Sequence, residues 1–299
     1  MRYLVTHATT YSYDDDVTDS LGVAHLVPRK LPAQQVTSAD VEVTPAPVDL
    51  SHDTDCYGNT ATYFQVTIGH QKLVVAGRSE VEVSMPSYDE AGLAAPWEQA
   101  RPLLDPARPG AWLATDFALP SKAVEQTEDS ARYGAESLQP GRPIGEAVTD
   151  LMHRIHADFT YDAKATTVTS TVAETFRKRA GVCQDFAHLT IACLRSHGLA
   201  ARYVSGYLAT QPPPGRERIV GADASHAWVA VWVPGTSPGQ RTGEWLAVDP
   251  TNDQWANDRY VTVAWGRDYG DVPPVKGVIF TEATKSSLKV SVDVAPVTA

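Results

Sequence analysis

The spacing of apolar and polar residues changes twice along the chain. From Arg2 to about Met85 the apolar residues fall in short runs, "RYLVTHATTYSY", "VTSADVEVTP", "TATYFQVTIG" and "KLVVAGRSEVEVSM", bounded by Pro, Gly, Asn and Asp. In the last of these Val81 and Val83 alternate with Glu80, Glu82 and Ser84, the period of two that a half-buried strand requires. The region predicts an antiparallel β domain. "DCYGNTATY" supplies a Gly-Asn hairpin turn that carries Cys56. Residues 86–143 are rich in Pro, Ala and Asp, with breaks at "ARPGAW" and "LQPGRP", and predict connecting loops with short helices. The period then lengthens. Ile144, Val148, Leu151, Met152, Ile155 and Phe159 recur at three- and four-residue steps, the stripe of an amphipathic helix.

In "RAGVCQDFAHLTIACLRSHGLAARYVSGYL" the run from Phe186 to Leu194 is apolar on most sides and predicts a buried helix that Gly198 ends. Cys183 falls at the start of that helix, where unpaired backbone N–H groups and the positive end of the dipole stabilise an anion. The same N–H groups can face the oxyanion formed when a thiolate attacks a carbonyl. Cys193 lies mid-helix and predicts packing alone.

Downstream, "ASHAWVAVWV" alternates as a strand, placing His226, Trp228, Ala230 and Trp232 on one face. After the turn "PGTSPGQRTG" comes "EWLAVDPTN", in which Trp245, Ala247 and Asp249 share a face and Pro250 ends the strand. An antiparallel pair joined this way sets the start of the first strand beside the end of the second. His226 and Asp249 are then neighbours, the carboxylate fixing the ring while its other nitrogen meets Cys183. Gln184 and Asp185 follow the cysteine in the first helical turn, as substrate-cleft residues or as groups satisfying helix N–H donors. Trp228 shares His226's face, as a cleft wall or a buried packing residue.

Composition narrows the partners. The chain has 299 residues, 43% hydrophobic and 20% charged, enough for two domains. A formal charge of −11 argues against nucleic acid or an anionic membrane as partner. "MRYLVTHATTYSYDDD" has none of the apolar segment of a secretion signal, and no apolar run approaches the ~18 residues of a membrane span, so a cytoplasmic location is expected. Three cysteines in such a chain predict reduced thiols. His153 and His156 lie on one helix without a third ligand at zinc-like spacing, and read as surface residues. "DPTNDQWAND" lacks the spacing of a calcium loop and reads as a solvated connector. No phosphate or dinucleotide motif occurs, so neither metal nor cofactor is expected.

"GVCQDFAHL", "RYVSGYL", "SHAWVAVWVPG", "WLAVDPTN" and "VAWGRDYGDVPPVKGV", in this order, resemble the bacterial transglutaminase-like proteins of the papain-like superfamily. "VAHLVPR" and "DCYGNTATYFQV" resemble the β domain that accompanies that core. The resemblance runs from Tyr3 to about Val278. It implies an α+β fold: an N-terminal antiparallel β-sandwich over 1–120, then a papain-like transglutaminase core over 121–278, with helices packed on an antiparallel sheet. The alternating "SLKVSVDV" within 279–299 is expected to return to the first domain's sheet. A departure is the tail "IFTEATKSSLKVSVDVAPV", which lacks a small-residue run before its last strand.

The resemblance further implies a Cys183, His226, Asp249 triad, with Tyr161 as a second oxyanion donor. Asp268 and Tyr269 belong to a family motif and read here as turn-forming. The expected substrate is a peptide or amide, cleaved through a thioester by a protease-like or amidase-like hydrolysis. Transfer of the acyl group to a primary amine is the alternative, and a non-catalytic peptide-binding or assembly module is the third reading. Specificity is expected from the loop "ATQPPPGRERIVGADAS", and nothing in the sequence fixes the oligomeric state.

Overall fold

The computed structural model describes residues 1–210, 225–235 and 243–297, so most of the expected specificity loop and of the Pro-Gly turn after Val233 lie outside the described residues. Five strands come first: β1 (Arg2–Ala24), β2 (Gln34–Thr44), β3 (Asp49–Thr54), β4 (Thr60–Val66) and β5 (His70–Val83). Helices α1 (Glu90–Ala94), α2 (Ala111–Ala114) and α3 (Glu128–Ser137) follow, then α4 (Ile144–Asp158), β6 (Thr160–Tyr161), α5 (Val172–Lys178), β7 (Ala180–Gly181) and α6 (Cys183–Arg195). The chain continues through β8 (Ala201–Leu208), β9 (Ser225–Val233), β10 (Glu244–Asp249), β11 (Gln254–Trp255) and β12 (Tyr260–Gly266), and ends in β13 (Val275–Thr281) and β14 (Ser286–Pro296). No helix among the described residues is long and apolar enough to cross a membrane.

The long first strand organises the β half. Its first part pairs with β5 on one side and β14 on the other; its second part pairs with β4 and β13. Register with β5 breaks between Ser12 and Val17. Asp14, Asp15 and Asp16 occupy that break, and the Asp14 carboxylate accepts the Thr284 and Lys285 N–H groups of the β13–β14 turn at 3.0 and 2.9 Å. The aspartates that interrupt the apolar pattern therefore bend a continuous strand and do not end it. The bend folds two antiparallel leaves over a core that includes Val41, Val43, Phe64, Val66, Leu73 and Val75. β3 is exposed throughout, so it carries no alternation to read, and it forms because its backbone pairs with β4 along the whole of its length.

Two boundaries differ from the sequence expectation. The segment up to residue 120, expected with the sandwich, packs on the second half instead: Trp97 and Ala100 are buried with α4 and α6, and Phe117 with Ala200 and Trp232. Large apolar residues on short helices find more buried surface there than on a sheet whose leaves already face each other. The chain also rejoins the first sheet at Val275, four residues before the expected 279, because β13 pairs with β1 from Ala24 onward.

The second half is built on a five-stranded antiparallel sheet, order β11-β10-β9-β8-β12. Alternation decides its two faces. Tyr203, Val229, Val231 and Leu246 join the core formed with α6, while Val204, Trp228, Ala230 and Trp232 bury themselves in separate clusters on the other side. Gly206 is required there, since a Cβ on it would lie 2.1 Å from the Val261 carbonyl oxygen and 2.6 Å from the Trp228 ring.

Candidate active site

The start of α6 is fixed by a side chain folding back on it. Asp185 Oδ2 accepts the Val182 N–H at 2.8 Å and the Thr166 hydroxyl at 2.6 Å, closing the N-terminus. This needs glycine at 181, where a Cβ would sit 2.8 Å from the Asp185 side chain. Cys183 is thereby the first helical residue, half-buried, with first-turn N–H groups that have no intrahelical acceptor. The helix behind it is buried from Gln184 to Arg195, and Gly198 turns the chain away at φ 78°.

β9 and β10 pair from Glu244 opposite Val233 to Val248 opposite Val229, which brings the start of one strand beside the end of the other. His226 Nε2 lies 2.7 Å from Asp249 Oδ2, and Cys183 stands near enough to the same ring to act on its charge. Asp249 occupies Nε2, so Nδ1 is the nitrogen left for the sulfur. The carboxylate is fully buried, and besides His226 four donors hold it. Thr251 N–H and Asn252 N–H reach Oδ1 at 2.9 and 3.3 Å; the Asn252 amide and the Tyr260 hydroxyl each reach Oδ2 at 2.7 Å.

Burial alone would depress the His226 pKa, but the hydrogen bonds and charges of Asp249 and Cys183 override it and raise the pKa from 6.5 to about 10. Burial likewise pushes the Asp249 carboxyl up, and its hydrogen bonds with His226, Asn252 and Tyr260 bring it below the usual carboxylate range. The ring is therefore an imidazolium at neutral pH, held between a buried carboxylate and a sulfur.

The remaining sequence candidates divide. Trp228 is buried and stacks on the His226 ring, centroids 6.1 Å apart and planes 28° from parallel, so it supports the imidazole from behind. Tyr161 is 57% exposed on a two-residue strand paired with Ala180–Gly181, where partial burial and the charge of Cys183 raise its phenol pKa. Gln184 donates to the Val168 carbonyl at 3.1 Å, and with the Asp185–Thr166 bond it ties residues 166–168 over the helix start. Asp185 accepts a backbone N–H at the helix start, as one of its two readings has it, whereas Gln184 donates to a carbonyl, which neither reading names.

Asn252 and Tyr260 were not among the sequence candidates. Asn252 lies in the stretch read as a solvated connector, and its signal was the Asp-Pro-Thr-Asn turn, whose aspartate accepts the N–H groups two and three residues on. Tyr260 opens β12, far from the cysteine motif, and left no local signal. His153 hydrogen-bonds with Asp253, and His156 Nδ1 lies 3.1 Å from the Thr251 carbonyl, so both helix histidines anchor this turn. Asp268 accepts the Ala123 and Gly270 N–H groups at 2.9 and 2.8 Å and caps the turn at Tyr269, as the turn-forming reading requires. Cys193 is fully buried, and burial pushes its thiol pKa far up; Cys56 is exposed.

The bacterial transglutaminase-like N-terminal region matches residues 3–82, and the transglutaminase-like superfamily matches residues 132–250. An uncharacterised Mycobacterium tuberculosis protein is 48% identical over 298 residues, 99% of this chain and 93% of that protein. The chain belongs to the transglutaminase-like superfamily. A second uncharacterised relative of this transglutaminase-like protein, from Mycobacterium leprae, is 32% identical over 280 residues, 93% of this chain and 92% of the relative. A Cytophaga hutchinsonii crystal structure, described as a cysteine protease candidate, superposes with a TM-score of 0.72 at 18% identity, covering 98% of this chain and 97% of its own. The α+β architecture of the transglutaminase-like protein is thus shared with that structure over nearly the whole of both chains.

Proposed function

We propose that the protein is a cysteine-dependent acyl-transfer enzyme that hydrolyses an amide or peptide bond through a thioester. The observation that carries this is the imidazole bonded at 2.7 Å to the buried Asp249, with the charges of Asp249 and Cys183 raising its pKa to about 10. An imidazolium is the counter-ion that a nucleophilic sulfur anion needs, and the helix start adds its dipole. The Cys183 sulfur attacks the carbonyl carbon, forming the S–C bond and moving the π electrons onto oxygen. Free N–H groups at the helix start and the Tyr161 hydroxyl are the donors proposed for that oxyanion. As the C–N bond breaks, the His226 Nδ1 proton passes to the leaving nitrogen. The neutral ring then takes a proton from water, hydroxide attacks the thioester carbon, and the S–C bond breaks to release the acid and restore the sulfur. Asp249 keeps the ring oriented and the charge on it stable throughout.

The test offers a glutamine-containing peptide to the wild type and to Cys183→Ala, with and without a primary amine, and weighs the products. Free acid from the wild type alone supports hydrolysis. An amine adduct that outpaces free acid would reassign the protein as a transglutaminase, and equal products from both chains would remove Cys183 from the chemistry.

A further inference from the structure

The face of the central sheet away from α6 does not pack solidly against the β leaves. Between them, bordered by the segment around Trp112 and Phe117, lies a half-open cavity of about 1040 Å³. That is the size of a drug-like ligand site, and its wall is mostly aromatic and apolar. Neither Cys183 nor His226 nor Asp249 lines it.

One cationic side chain sits on its wall. Arg202, on β8, is 9% exposed, with its guanidinium carbon 4.0 Å from the centre of the Trp245 ring and 3.5 Å from that of Trp265. The two indoles stabilise the charge by cation–π attraction, but they accept none of its five N–H donors in a hydrogen bond. Among the described residues the Arg202 side chain has no hydrogen-bond or ion-pair partner, and its buried Nε is unsatisfied. Arg29 also has an unsatisfied buried Nε, but its Nη1 is engaged. That arginine stands 3.4 Å from the Trp265 ring centre, yet it donates to the Tyr57 carbonyl and to Asn59.

The cavity wall carries two carboxylates, and both are engaged with other groups. Asp116 accepts the Tyr57 hydroxyl at 2.8 Å and stands 3.9 Å from Arg267; Glu244 accepts the Asp89 N–H at 2.9 Å. Burial and the charge of Arg29 both press on Arg202 in the same sense, lowering its pKa. A guanidinium that is buried, unpaired and bordering a ligand-sized space is costly unless something supplies the missing acceptors.

We propose that this cavity is a binding site for a small amphipathic anion, a carboxylate on a flat aromatic or linear apolar body, with Arg202 as its counter-ion. The carboxylate accepts the guanidinium donors and the apolar body lies among the tryptophans. The site stands apart from the catalytic reading, since Trp228 and Tyr260, which buttress His226 and Asp249, form part of its wall from the opposite side.

The probes are 2-naphthoate and decanoate, each against its neutral amide, followed by tryptophan fluorescence and calorimetry on the full chain. At least one carboxylate should bind saturably at one site per chain, about tenfold or more tighter than its amide. After prior alkylation of Cys183 with iodoacetamide the carboxylate should still bind at one site per chain and still outbind its amide, which separates this site from the catalytic cleft. Arg202→Met, which keeps the stacked stem, should lose the preference for the carboxylate, and Arg202→Lys should keep part of it. Should Arg202→Met fail to fold, the Arg202 Nε–H resonance in the wild type decides, shifting with the carboxylate and not with the amide. No saturable binding of either carboxylate, equal binding of acid and amide, or an unmoved Arg202 resonance would overturn the proposal.

Discussion

Asp249→Asn tests the central electrostatic claim with the smallest change of shape. The amide oxygen can still accept the Thr251 and Asn252 N–H groups, so the turn keeps its geometry while the charge leaves. In the wild type the His226 pKa stands at about 10 although burial opposes it. Relative to 6.5 that is roughly 5 kcal/mol of preference for the charged ring, at about 1.36 kcal/mol for each tenfold change in proton affinity. Asp249 and Cys183 are the two groups that supply it, and Asp249 contributes both a short hydrogen bond and a permanent charge. Losing it should therefore remove about half or more, roughly 2 to 3 kcal/mol, and let burial pull the ring down to about pH 8 or lower.

The consequences are measurable on the ring and on the sulfur. The His226 ring resonance, followed by carbon-edited NMR, should titrate near 10 in the wild type and about two pH units lower in Asp249→Asn. Alkylation of Cys183 by iodoacetamide at about pH 6, located by peptide mass, should slow in the variant while the protein stays folded. Activity on an amide substrate should fall by on the order of 10³ to 10⁴, mostly in kcat. An unchanged ring titration together with unchanged alkylation would refute the argument that Asp249 holds the imidazolium.

Other expectations follow from single contacts. Asn252→Ala and Tyr260→Phe each remove one donor from Asp249 Oδ2, worth about 1.5 to 3 kcal/mol for a charged acceptor. Each should lower kcat/KM by about ten- to a hundredfold, and a double-mutant cycle should show coupling because both donors meet one oxygen. Stability should fall on both sides of about pH 6.5, as measured by urea midpoints. Burial lowers the pKa of His7 and of His188 to about 4, so the unfolded chain binds more protons between 6.5 and 4 and stability is lost as pH falls through that window. The raised pKa of His226 acts oppositely: its contribution is complete below 6.5 and is lost as pH rises through about 10. Gly206→Ala should cost about 3 kcal/mol or more by forcing a methyl against the Val261 carbonyl, read from the thermal midpoint. Cys193, fully buried, should resist iodoacetamide until denaturant is added.

The His226–Asp249 pair and the place of Cys183 at a helix start were legible because each residue sits at an element boundary that local pattern marks: a glycine before a buried helix, the first residues of an alternating strand, the aspartate before a proline. What the pattern could not show was how those elements are held. Asp14–Asp16 read as a break in a strand and instead bend one, since the partners of the Asp14 carboxylate lie on the β13–β14 turn some 270 residues away. Asn252 read as loop solvent because nothing upstream announces that the preceding carboxylate will be buried and short of donors. Tyr260 reaches Asp249 only through its place on β12, at the far edge of the sheet, a relation set by strand order and invisible to spacing.

The same limit explains why the second face of the sheet escaped the sequence reading. Alternation with period two says which residues share a face, but not what covers it. Arg202 falls on the face of Trp228 and Trp245, and a positive residue in such a strand suggests an exposed surface. Instead the β leaves and the segment around Phe117 border a space beside the guanidinium, and among the described residues none gives its side chain an acceptor. Trp228 and Tyr260 then belong to two environments at once, stacking on or bonding to the His226–Asp249 pair from one side and bounding the cavity from the other. A ligand that moved either ring would change the donors on Asp249 or the support behind His226. Occupancy of the cavity should therefore appear as a shift in the His226 titration, and the same shift should vanish in Arg202→Met if the anion is what sets it.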